Sequence, residues 1–299
     1  MPPRTFVPFN KNERMTEGFF GRRNQGKGEM AFVDHLEELR WHIIRSLLAI
    51  LFFAVIIFIK IQWVFDNIIA GPINPNFISY RGICNFSHAI GLGDNLCLPP
   101  VSINMQTTTF GGQFFASFSI AFIGGLIAAF PYIFWELWRF VKPALKPREL
   151  KGTRFVIFWV SFFFLLGGAF GYFILGPFTF NFLATFQVSG LNMIQTKPTI
   201  NDYIDNLTNL ILGCGIAFEM PVLAYVLTKI GIITPNFLKR TRKYAIVVIL
   251  VLAAIITPSP DWYSQTIVFL PLFSLYELGV YVSGRVYKRE QKKEMEEWS

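Results

Sequence analysis

The chain has 299 residues, 53% of them hydrophobic and 17% aromatic, with only 15% charged and a formal net charge of +8. That balance exceeds what a soluble domain of this length carries and points to lipid as the solvent. The charge-free run from Phe155 to Leu175 is long enough to cross about 30 Å of hydrocarbon. Runs such as LLAILFFAVIIFI and VIFWVSFFFLLGG do not alternate apolar with polar residues, so they read as helices and not as barrel strands.

Residues 1–29 mix Pro, Gly, Asn and Arg without apolar periodicity and read as a disordered basic tail. The pair Arg22-Arg23 in this tail is followed by Asn-Gln-Gly-Lys-Gly, not by an apolar run, so it reads as part of the tail and not as a cleaved leader. From Met30 to Ile43, Phe32, Val33, Leu36, Leu39 and Ile43 recur at helical spacing. This pattern predicts an amphipathic helix resting on the membrane surface, with Asp34, His35, Glu38, His42 and Arg45 projecting from its other side. In the plainer reading, Glu37 and Glu38 only favour the helix N-terminus or solvate its outer face.

Six spans are predicted, roughly 43–62, 112–135, 155–176, 206–228, 243–257 and 263–283. Between the first two lies an external segment, about 63–111, rich in turn signals such as Gly71-Pro72, Asn74-Pro75, Gly91-Leu92-Gly93 and Pro99-Pro100. Cys84 and Cys97 share this segment, where an oxidising compartment favours a disulfide. Cys214, alone in the fourth span, reads as a packing residue, and His35, His42 and His88 are too scattered to form a metal site. The stretch WRFVKPALKPRELKGTRF carries a single acid, Glu149, among its cations; on spacing alone Glu149 reads as an N-terminal charge on the third span, with Pro147 in the first turn. Glu219 falls well inside the fourth span, where a carboxylate is costly and demands either a partner or a polar cavity, and Glu277 raises the same question in the sixth. Tyr244 to Thr257 rises only about 21 Å, short of a full crossing, which predicts local thinning of the bilayer.

The cations set the topology. Of the 27 Lys and Arg residues, eight lie in the tail to Arg45, six from Arg139 to Arg154, five from Lys229 to Lys243 and five from Arg285 onward. Only Lys60, Arg81 and Lys197 lie elsewhere, so the positive-inside rule places both termini in the cytoplasm, with 288–299 as a charged tail. Cations spread over four membrane-end segments do not make a nucleic-acid surface. No nucleotide-binding Gly loop, nucleophile elbow or metal-binding His-Glu motif is present, so neither an enzyme nor a cofactor is expected.

DHLEELR at 34–40, GP at 71–72, FWELWRFVKPALKPRE at 134–149, AFEMPV at 217–222 and ITPSPDWYSQ at 256–265 occur in an order that resembles the TatC family from Phe32 to about Tyr287. The resemblance implies an all-α polytopic protein, a concave six-helix bundle over 30–287 in the bacterial inner membrane, acting as the receptor and core subunit of a twin-arginine translocase. It further implies that Glu38 and Glu149 read the two arginines of a signal peptide, with His35 and Arg40 in the same motif and Phe140, Pro143 and Leu145 shaping an apolar groove. A carboxylate suits that task because it accepts paired guanidinium hydrogen bonds that an ammonium reproduces less well. By the same resemblance Glu219 is an intramembrane polar site, Thr257 and Gln265 border an edge that binds partner helices, and Pro72 and Asp261 are structural. The implied partners are TatA-like and TatB-like single-span subunits, folded cargo bearing twin-arginine signals, and further copies of this chain, with energy drawn from the proton gradient.

Two positions depart from the family pattern. His42 stands where a basic residue is common, and TPSPD is one residue longer than TPPD. Two other functions fit the same span pattern. An ion-coupled transporter would use Glu219 as proton carrier, with helices broken near Pro131, Pro221 or Pro271, and would take up solute alone. A membrane scaffold would bind partners without telling Arg-Arg from Lys-Lys signals.

Overall fold

The computed structural model describes residues 30–74, 76–89, 91, 93–97, 104–142, 153–186, 197–257 and 262–298. The described residues contain no strand, and their one β-bridge joins Gln106 to Thr199. Among the described residues, five helical stretches are long and apolar enough to cross a membrane.

Helix α1 runs from Met30 to Ile59 without interruption. The predicted surface helix and the first span are therefore one helix, because no Gly or Pro between Met30 and Ile59 offers a place to bend. At about 45 Å it exceeds the hydrocarbon thickness, so its first turns stand clear of the lipid. The external segment is more ordered than its turn signals predict. A helical turn at Ile61–Val64, a π turn at Phe65–Ile69 and a 3-10 turn at Gly71–Ile73 lead to α2 (Ile78–Ala89). Helix α3 (Gly112–Val141) runs through Pro131 and six residues past its predicted end, carrying Glu136, Trp138 and Phe140 with it.

Helix α4 (Thr153–Phe170) continues through a π turn at Gly171–Leu175 into α5 (Gly176–Thr185). The predicted fourth span is two helices, α6 (Ile200–Ala217) and α7 (Met220–Lys229), which break at Phe218 and Glu219, just before Pro221. After α8 (Pro235–Arg240) comes α9 (Arg242–Ile256), whose 15 residues give a rise of about 22 Å. Its shortness is a property of the fold, since the chain turns extended at Thr257. Helix α10 (Trp262–Trp298) continues as helix through the charged tail.

Leu175, Leu210, Cys214, Ala253, Val268 and Leu272 have no exposed surface and form the core where the Gly171–Leu175 turn, α6, α9 and α10 meet. A smaller cluster of Trp138, Val156, Val160 and Val222 sits where α3, α4 and α7 meet. On the outside Phe52, Leu51, Phe114, Phe122 and Val251 are exposed, as lipid-facing side chains are.

Close helix approach depends on glycine. A Cβ on Gly125 of α3 would stand 2.8 Å from the Ala54 nitrogen and the Ile50 oxygen of α1, and one on Gly171 would stand 2.5 Å from the Leu210 oxygen. With no hydrophobic drive between helices in lipid, such contacts supply much of the packing.

Where the external turns release carbonyls from helical bonding, three tyrosines from different elements satisfy them. The Tyr172 hydroxyl donates to the Ile68 oxygen at 2.5 Å, Tyr203 to Ile69 at 2.5 Å and Tyr80 to Pro72 at 2.9 Å. Pro72 is thereby buried against α5. Burial pushes the Tyr80 phenol above the usual tyrosine range.

Candidate functional site

The amphipathic start of α1 packs against the end of α3. His42 is buried there instead of projecting to solvent as its helical spacing predicts. Its Nδ1 donates to Glu136 Oε2 at 2.5 Å, and Glu136 is itself only 1% exposed. The Tyr132 hydroxyl donates to Glu136 Oε1 at 3.0 Å, so both carboxylate oxygens are satisfied. Arg139 lies 3.6 Å from Oε1 and Arg45 4.0 Å from Oε2, both half exposed. Arg139 also stacks on Trp135 at 5.0 Å. One buried carboxylate is thus ringed by an imidazole and two guanidiniums, so that a charge on it has partners.

Glu38 sits one turn before His42, with its Oε1 3.9 Å from His42 Nε2 and its side chain half exposed. The imidazole therefore stands between a buried acid and an exposed one. The Phe140 ring meets His42 edge-on at 6.2 Å. Glu38 and Phe140, predicted from separate motifs, converge on one imidazole. Arg40 is exposed on the same helix. His35 lies within α1, with its side chain outside the described residues. Pro143, Leu145, Glu149 and Asp261 also lie outside the described residues.

Glu136 and Tyr132 had not been singled out in the sequence. The available signal was local: an acid inside an aromatic-rich helix, four residues after a tyrosine and three before an arginine.

The family model described as "Sec-independent protein translocase protein (TatC)" matches residues 34–271. A relative from Blattabacterium sp. subsp. Periplaneta americana, "Sec-independent protein translocase protein TatC", is 39% identical over 269 residues, covering 88% of this chain and 98% of its own. The chain belongs to the TatC family. A TatC relative from Deinococcus radiodurans is 32% identical over 256 residues, covering 85% and 86% of the two chains. Two crystal structures titled as the twin arginine translocase receptor TatC superpose with TM-scores of 0.62 and 0.64 at 31% and 32% identity. They cover 83% of this chain and 97% and 99% of their own. A TatC chain is part of a Sec-independent protein translocase, a transport protein and not an enzyme, and this one is a multi-pass membrane protein.

Glu219 occupies the break between α6 and α7, and its Oε1 is buried with no hydrogen-bond partner among the described residues. Glu277 accepts from Arg242 at 2.6 Å, which ties α10 to the start of α9. At the other end of that helix pair, the Thr257 hydroxyl donates to the Ala253 oxygen at 2.9 Å and Gln265 Nε2 to the Leu250 oxygen at 3.2 Å. Both cover carbonyls of the last turns of α9. Cys84 and Cys97 form a disulfide with Cα atoms 4.4 Å apart. His88 and Asp94 lie beside it, all four donor atoms within 4.8 Å, but with both sulfurs spent the cluster offers a metal only one imidazole and one carboxylate.

Proposed function

We propose that this chain is the receptor and core subunit of a twin-arginine translocase, in which Glu38 and Glu149 capture the paired arginines of a signal peptide. The observation that carries the reading is the half-exposed Glu38 carboxylate held one turn from the buried His42–Glu136 pair, with the Phe140 ring against the same imidazole. A preorganised acid beside an aromatic wall fits a guanidinium followed by an apolar segment. Arg40, Arg45 and Arg139 around it repel a basic peptide that does not seat its charges on the acids, so selectivity comes from acids set in an unfavourable field.

The apolar part of the signal then enters the concave bundle past Pro143 and Leu145, while Glu219 supplies a polar contact at the helix break. TatA-like and TatB-like single-span helices assemble along the short α9 and its neighbour α10, at the edge bordered by Thr257 and Gln265, with other copies of this chain in the complex. Asp261 serves a structural role. The proton gradient drives passage. The six-span bundle over 30–287 lies in the bacterial inner membrane with both termini, the 1–29 tail and the 288–299 end in the cytoplasm, as the alternating distribution of cations supports.

The test is export by membrane vesicles carrying this chain and its single-span partners. A folded precursor with an Arg-Arg signal is expected to enter, and its Lys-Lys counterpart to remain outside. Equal entry of the two precursors, or solute uptake by this chain alone, would overturn the reading.

A further inference from the structure

Each cysteine of the Cys84–Cys97 disulfide has a second metal-binding side chain one turn away. His88 follows Cys84 on α2, and Asp94 precedes Cys97 in the 3-10 turn Gly93–Leu96. One donor atom from each of the four lies within 4.8 Å of the others. We propose that Cys84, His88, Asp94 and Cys97 are a zinc site that forms when a dithiol reduces the disulfide, so that the metal ties α2 to the 3-10 turn in place of the covalent bond.

The backbone holds the two pairs face to face without help from the sulfurs. Gly91 and Gly93, both at positive φ, turn the chain after α2. The buried Ser87 hydroxyl donates to the Gly93 oxygen at 2.5 Å, the Gly91 N–H to the His88 oxygen at 3.2 Å and the Cys97 N–H to the Asp94 oxygen at 3.0 Å. None of these bonds uses the disulfide, so the four side chains stay together when it is broken.

His88 Nε2 and Asp94 Oδ1 are 2.9 Å apart, and both side chains are exposed. An exposed pair of this kind contributes at most about 1 kcal/mol. A disulfide needs neither residue, so stability does not account for an imidazole and a carboxylate gathered around the two sulfurs. Zinc does account for them. It takes thiolates at about 2.3 Å and imidazole nitrogen or carboxylate oxygen at about 2.0–2.2 Å in a tetrahedron, which sets the ligand atoms roughly 3.3–3.8 Å apart. Side-chain rotation brings the four atoms to that spacing once the sulfurs are no longer bonded. Two thiolates exclude magnesium and calcium, hard cations that take oxygen ligands.

In the exchange, the dithiol passes two electrons and two protons to the disulfide and closes to its own disulfide, leaving Cys84 and Cys97 as thiols. Zinc then displaces the two thiol protons, and the imidazole and carboxylate complete the tetrahedron.

Cobalt(II) uptake by the full chain in detergent, with oxygen excluded, tests the proposal. A trialkylphosphine serves as reductant because, unlike a dithiol, it does not compete for the metal; it takes the oxygen of a water molecule to become the phosphine oxide while the disulfide gains the two hydrogens. The reduced chain is expected to show thiolate-to-cobalt charge transfer and tetrahedral ligand-field absorption, both lost when zinc is added, and the oxidised chain to show neither. His88→Ala and Asp94→Ala are each expected to weaken zinc binding by about a hundredfold, the upper end of what a residue merely supporting a ligand is worth. Both positions are exposed, and monodisperse elution shows that each variant is folded. Absence of the cobalt absorption from the reduced chain, or zinc binding unchanged in either variant, would overturn the proposal. No signal peptide takes part, so the result stands apart from the receptor reading.

Discussion

His42 of α1 and Glu136 of α3 meet at 2.5 Å across 94 residues of sequence, directly beneath the exposed Glu38. The contact does two things at once. It fastens the protruding end of α1 to the end of α3, and it fixes the imidazole against which the Glu38 carboxylate is held.

Removing His42 takes its nearest partner from a buried carboxylate. His42→Ala is expected to cost about 3 kcal/mol, whereas Glu136→Leu combined with His42→Leu recovers most of that loss. Unfolding in detergent, followed for the four members of the double-mutant cycle, checks this; additive losses would show that the two residues do not act together.

Glu219 gives the opposite sign. Its Oε1 is buried without a hydrogen-bond partner among the described residues, so Glu219→Met is expected to leave thermal stability in detergent unchanged or raised. The same change is expected to impair export, if a polar group at the helix break serves the inserted signal. A clear loss of stability would instead assign Glu219 to holding α6 and α7 together.

Much of the bundle was legible in the sequence, because charge-free runs and the spacing of cations are one-dimensional properties. The short α9 could be read from Lys243 at one end and Thr257-Pro258 at the other. The site was only half legible. Glu38 and Phe140 stood out through their motifs, but Glu136 did not, because its importance comes from the register of α1 against α3, and that register is set by contacts such as Gly125 on Ala54. His42 was discounted as a departure from the family's basic residue. The fold shows that an imidazole there meets a buried acid. Likewise, the partner of Glu277 is Arg242, 35 residues away on another helix, which no local pattern could reveal.

Gly125→Val would drive a side chain into the α1 backbone, since even a Cβ stands 2.8 Å from backbone atoms of Ile50 and Ala54. Loss of the folded, monodisperse species in detergent is expected. Gly284→Ala, where a Cβ meets nothing within 4 Å, is expected to behave as the unaltered chain. Equal behaviour of the two variants would contradict the close α1–α3 packing.

The external segment is held by the disulfide and by Tyr80. Replacing Cys84 and Cys97 by Ser opens a loop with a sequence separation of 13 and is expected to cost about 3 kcal/mol, measured by unfolding with and without reductant. Tyr80→Phe leaves the Pro72 carbonyl without its donor, at a cost of about 1 kcal/mol. Because the folded phenol titrates above the ordinary value of 10.0, its contribution is complete below that pH and is lost only as the pH rises further. A loss of the Tyr80 contribution already at neutral pH would contradict its burial.

The most direct test of the receptor account is photo-crosslinking of an Arg-Arg signal peptide to this chain in membranes, comparing the unaltered protein with Glu38→Ala, Glu149→Ala and the double substitution. The account predicts strong crosslinks to the unaltered chain, a fall of about tenfold or more on loss of either acid, and little crosslinking of a Lys-Lys peptide to any variant. Equal crosslinking of Arg-Arg and Lys-Lys peptides to every variant would contradict it.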